Sequence, residues 1–125
     1  MARFRLINYI VAATLIFGLI SGCSREERYG QDISKDAPLV KVKDIHLNPA
    51  LKGRVVNLEG KIVSQCLSIG CWFLLRDDTG VIPIDLAPSD LSITTKNQIG
   101  RNAKVTGMVE KNGDYKIIAQ GVKID

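Results

Sequence analysis

RVVNLEGKIVSQ, residues 54–65, alternates in character along most of its length. Val56, Leu58, Gly60 and Ile62 are apolar or small, and Asn57, Glu59 and Lys61 between them are polar. A period of two belongs to a strand with one face buried and the other in water. The pattern recurs downstream. Residues 71–77 place Phe73 and Leu75 inward, and Asp78, Thr79 and Gly80 then supply turn chemistry. Residues 81–86 set Ile82, Ile84 and Leu86 on one face and Pro83 and Asp85 on the other. Proline has no backbone N–H, so Pro83 points to an edge or a bulge.

Residues 87–100 break the alternation and read as a short helix plus loops, with Ser89 or Asp90 as caps and Thr94 and Thr95 against a regular helix. Alternation returns over 101–109 through Ala103, Val105, Gly107 and Val109. Asn112-Gly113 is a hairpin corner, because both residue types tolerate positive φ. Tyr115, Ile117 and Ala119 share one parity while Val122 and Ile124 follow the other. A bulge near Gln120-Gly121 accounts for the change, since one extra residue reverses the face. The expected fold is all-β: a five-stranded barrel with a short helix or loop between strands 3 and 4.

Upstream, Arg3 and Arg5 precede an apolar run that ends at Ile20-Ser21-Gly22-Cys23, the three-part pattern of an export signal. Residues 1–22 read as a lipoprotein signal peptide and Cys23 as the lipidation site, its thiol carrying diacylglycerol and its freed amine a further acyl chain in a diderm host. An uncleaved transmembrane anchor is the alternative. More than one chain makes such anchoring durable. Residues 23–35 carry Arg25, Glu26, Glu27, Arg28 and Asp32 with little to bury, and read as a flexible tether. Residues 36–125 form one small domain. Removing residues 1–22 lowers the formal charge from +4 to +2, and the remaining charges are mixed along the chain. Neither feature provides a phosphate track.

The chain resembles a group of small bacterial exported proteins with an OB-fold domain of the tRNA-anticodon-binding type. The resemblance rests on NPALKGRVV at 48–56, LEGKIV at 58–63, GCWFLLRDDTG at 70–80 and GMV at 107–109. It implies an OB-fold barrel over residues 44–124 and no assigned activity, because this barrel hosts many kinds of ligand. In this lipoprotein class an aspartate after the lipidated cysteine resembles an inner-membrane retention signal. Ser24 stands there instead, which implies the outer membrane of a diderm host.

Cys66 and Cys71 flank a four-residue loop. Continued parity from Ile62 and from Phe73 turns both inward, so a disulfide across the hairpin neck is expected in an oxidising envelope. Two thiols also leave open soft-metal binding or redox exchange, although four zinc ligands are not in view. His46, before the first barrel strand, reads as a surface or capping histidine. Asp77 and Asp78 read as turn residues rather than a metal pair. Trp72 has outward parity with Leu74 and Arg76, so Trp72, Arg76, Lys104 and Tyr115 are the candidate ligand-binding residues. No P-loop, serine elbow or clustered His/Asp/Glu set is present, and no catalytic residue or cofactor is assigned. The expected function is that of a noncatalytic, membrane-tethered envelope domain that binds protein or glycan. Single-stranded nucleic-acid recognition is a rival reading.

Overall fold

The computed structural model describes residues 25–93 and 96–125. The expected signal peptide and the expected lipidation site at Cys23 lie outside the described residues. Among the described residues, six strands and one short helix follow in the order β1 Glu27–Gly30, α1 Val42–Leu47, β2 Val55–Gln65, β3 Trp72–Arg76, β4 Val81–Asp85, β5 Asn102–Asn112 and β6 Asp114–Ile124. Two 3-10 turns, Pro49–Leu51 and Ala87–Ser89, precede β2 and follow β4.

β2 is long enough to serve two partners. Its first half pairs with β5 from Val55 to Lys61, and its second half with β3 from Lys61 to Gln65. The chain bends between the two at Gly60, where any Cβ would run into the Arg76 carbonyl oxygen. β3 pairs with β4, β4 runs parallel to β6 at Ile84 and Asp85, and β6 returns along β5. The ring β2-β3-β4-β6-β5 is thereby closed, and the fold is an OB-type five-stranded barrel. Val56, Leu58, Ile62, Phe73, Leu75, Ile82, Ile84, Val105, Val109, Ile117, Val122 and Ile124 fill it. The 3-10 turn Ala87–Ser89 lies in the connection between the third and fourth barrel strands.

The bulge expected near Gln120 is present: Ala119 pairs with Gly107 and Gly121 with Thr106, leaving Gln120 unpaired between them. Pro83 suits its strand, since β4 meets β6 only at Ile84 and Asp85.

Two expectations are corrected. Residues 23–35 are not tether throughout, because Glu27–Gly30 forms β1 against Gly121–Ile124 of β6. β5 occupies one edge of β6 along its whole length, and β4 takes only a short piece of the other edge. The remaining edge is free to bind a strand, and Tyr29 packs from it onto the core. The second correction concerns the disulfide, because Cys66 and Cys71 are free thiols. A second bulge explains this. Ile62 pairs with Leu75 but Ser64 with Leu74, so Val63 is an extra residue and parity reverses beyond it. Gln65 turns inward opposite Phe73, and the Cys66 N–H bonds to the Trp72 carbonyl. Cys66 thus opposes Trp72, with Cys71 one position out of register.

Candidate functional site

The outward residues of β2, β3 and β4 form three cross-strand rows. Lys61, Arg76 and Val81 make the first, Ser64, Leu74 and Pro83 the second, and Cys66, Trp72 and Asp85 the third. Each owes its place to the interior alternation, because Phe73, Leu75, Ile82 and Ile84 are fully buried and their neighbours must face out. The face therefore has a cationic end, an apolar middle and an aromatic end. Trp72 and Arg76 are four residues apart on an extended strand, about 13 Å.

At the aromatic end, Asp85 accepts a hydrogen bond from Lys116 Nζ at 3.0 Å and from the Ala87 N–H at 3.2 Å. The Asp85 carboxylate raises the Lys116 pKa above the ordinary lysine value, so this cation is committed to an internal pair. At the other end, Lys61 and Arg76 are direct cross-strand partners and neither makes an ion pair among the described residues. Like charges placed opposite each other on antiparallel strands are destabilising.

The two cations line an open basin of about 770 Å³ together with Lys41, Glu59, Asp77, Asp78, Lys104 and Asp125. Most of its other charges are spoken for. Lys41 Nζ lies 2.9 Å from Asp78 Oδ1, and the hydrogen bond raises the lysine pKa and lowers that of the aspartate. Lys104 Nζ lies 3.5 Å from Glu59 Oε1. Asp77 accepts hydrogen bonds from the N–H groups of Val42, Thr79 and Gly80 and from the Thr79 hydroxyl. Burial pushes the Asp77 pKa up, and these donors outweigh it to hold the carboxyl below its usual range. Asp77 is thus the turn residue its sequence suggested, and it also caps α1.

Of the four candidate ligand residues, Trp72 and Arg76 share the β3 face, and Lys104 joins Arg76 in the basin. Tyr115 does not join them. It has the inward parity of Ile117 and Ala119, and His46 closes over it edge-on with ring centroids 5.3 Å apart. Lys111 Nζ sits 5.2 Å from the same ring. The sequence reading put Pro83 on the outward face but counted neither it, nor Val81, nor Lys116 among the site residues. The parity of Val81 and Pro83 was readable; the parallel pairing that brings Lys116 to Asp85 was not.

Among the described residues no three His, Cys, Asp or Glu side chains gather to hold a metal. No described helix is long and apolar enough to cross a membrane.

No protein-family model matches the chain, and no curated protein matches it. Among solved structures, it is similar to the hypothetical protein ygiW from E. coli at 17% identity and a TM-score of 0.53, covering 77% of this chain and 99% of that one. It is similar also to a putative aspartyl-tRNA synthetase from Leishmania major Friedlin at 12% identity and a TM-score of 0.55. That match covers 90% of this chain but 25% of the synthetase. The chain therefore carries an OB-fold domain resembling ygiW, and the likeness is one of fold.

Proposed function

We propose that this chain is a noncatalytic binding domain of the bacterial cell envelope, held to a membrane by lipid on Cys23, that takes an extended acidic chain, glycan or polypeptide, along the outer face of β2-β3-β4. The supporting observation is the pairing of Lys61 with Arg76, two opposed cations without an ion-pair partner among the described residues, about 13 Å along the strand from Trp72. An anion at the cationic end relieves the repulsion between them, and an apolar ring or side chain covers Leu74 and Pro83 and abuts one edge of Trp72. That spacing suits a polymer segment. Trp72 is the single aromatic residue among the nine on this face, whereas single-stranded nucleic-acid platforms stack successive bases on several. This favours glycan or polypeptide over the nucleic-acid reading.

The test is calorimetric titration of the detergent-solubilised chain with acidic oligosaccharides, acidic peptides and a single-stranded oligonucleotide at low salt. Binding of a saccharide or peptide that weakens about tenfold or more in Arg76→Ala and Trp72→Ala is expected, since charge-assisted contacts and aromatic burial each contribute on the order of 1–3 kcal/mol. Saturable binding of the oligonucleotide alone, with a steep salt dependence, would overturn the reading in favour of nucleic acid.

A further inference from the structure

β1 changes the geometry of anchoring. A tether running to residue 35 would let the domain float, but the structure begins to hold the chain at Arg25, whose carbonyl accepts a hydrogen bond from Arg101. Glu27 is bound by Gln98 Nε2 at 2.8 Å and Arg101 Nη1 at 2.9 Å. Arg25 is two positions after Cys23, a reach of about 7 Å at full extension. The polar layer on each side of a bilayer is itself roughly 5–8 Å deep. A lipid on Cys23 therefore leaves no room for the barrel end around Arg25 to stand clear of the membrane.

That end is defined by strand directions. β1 starts there, β2 and β4 end there, and β3 and β5 start there. Contacts link its parts: Gly70 of the β2-β3 loop accepts from the Ile93 N–H, and Gln65 bonds to both Lys96 and Gln98 of the β4-β5 connection. The same loops expose large aliphatic side chains, Leu67 at 60%, Ile69 at 66% and Ile99 at 51%, with Trp72 at 39% beside them. Arg25 and Arg28 stand at the edge of this end, alongside Glu26 and Glu27. With charges mixed, apolar contact is the attraction on offer.

We infer that this barrel end is a membrane-docking surface: Leu67, Ile69 and Ile99 enter the headgroup region of the bilayer that carries the Cys23 lipid, and Trp72 lies at its interface. The inference rests on the lipid-anchor reading of Cys23. Docking fixes the orientation of the domain, with the aromatic end of the ligand face towards the membrane.

Trp72 is the sole tryptophan of the chain, so its emission reports the contact directly. The full chain is extracted from a bacterial envelope, its acylation at Cys23 is read by intact mass, and it is placed in phosphatidylethanolamine and phosphatidylglycerol vesicles carrying a shallow nitroxide lipid. Quenching of Trp72 by about half is expected for a ring at the interface. Leu67→Ser with Ile69→Ser restores most of the emission, and Leu47→Ser, on α1, leaves the quenching unchanged. A lipidated chain whose Trp72 is unquenched by the vesicles but open to aqueous iodide overturns the inference and leaves the anchor standing. Trp72 shielded from both quenchers overturns it too, and assigns the surface to a protein or a second copy. A chain with Cys23 unmodified sinks the anchor reading, and the inference with it.

Discussion

The two ends of the barrel are closed in opposite ways. At the α1 end the apolar side chains are inside: Val42 and Ile45 are buried, and Asp77 and Thr79 spend their polar atoms on the N–H groups that begin the helix. At the β1 end the polar side chains are inside. Gln65 and Gln98 are buried and join Glu27 and Arg101 in a hydrogen-bonded latch, while Leu67, Ile69 and Ile99 project outward. The α1 end leaves Leu39 and Leu47 exposed, but these are separated by the helix and are ordinary for a surface. One end is finished against water and the other is finished only when something apolar meets it.

If the α1 end is held by packing, deleting the packing has the largest effect. Ile45→Ala removes a fully buried side chain and is expected to cost about 3 kcal/mol in urea unfolding of the chain from Arg25 onward. A cost well under 1 kcal/mol would mean that α1 is an ornament on a barrel that closes without it. The latch comes next. Gln98→Ala deprives Glu27 of a donor and Arg101 of an acceptor, and leaves a small cavity, for about 2 kcal/mol. It should also release β1, so amide exchange at Arg28 and Tyr29 speeds up while exchange in β2 and β3 does not. Uniform acceleration would show that the two ends unfold as one unit.

Asp77 sharpens the contrast through pH. Its folded pKa is depressed, so its stabilisation is present above the ordinary aspartate range and is lost as pH falls through the folded value. Asp77→Asn is expected to cost about 1 kcal/mol at pH 7, as lost helix caps do when solvent screening is allowed for. The difference between wild type and variant should vanish in acid. A difference that persists at low pH would assign the effect to shape rather than charge.

The barrel was largely legible in the sequence because alternation follows from burial, whereas α1 was not, and at its end only the turn role of Asp77 was read. Each inward residue from Phe73 to Ile84 announced itself, and the loss of parity after Ala119 disclosed the bulge at Gln120. The bulge at Val63 was silent. Ser64, Gln65 and Cys66 are all compatible with either face, so nothing apolar marked the slip, and the cysteines were read as facing each other. β1 was silent for a related reason: Arg28 and Gly30 say nothing of burial, and the edge that binds the strand belongs to β6, ninety residues later. The candidate face was half legible. Trp72 and Arg76 follow from local parity, whereas the opposition of Lys61 and Arg76 needs a register that the hidden bulge helps to set.

The mildest test bears on the β1 end without unfolding it. The Cys66 thiol lies 3.2 Å from the Ser68 hydroxyl. That hydroxyl, with the N–H groups of Ile69 and Cys71, lowers its pKa to about 6. Partial desolvation raises the Cys71 pKa, and the neighbouring Cys66 raises it further through hydrogen bonding and charge. Thiolate is the reactive form. Alkylation followed by peptide mass should therefore reach half its maximal rate near pH 6 at Cys66 and above the ordinary thiol value at Cys71. Ser68→Ala should move the Cys66 midpoint upward and leave the unfolding midpoint where it was. Equal labelling of both thiols across the pH range would mean that the β2-β3 loop does not hold this cradle in solution. Leu67 and Ile69, carried on the same loop, would then lack the fixed footing that a docking surface requires.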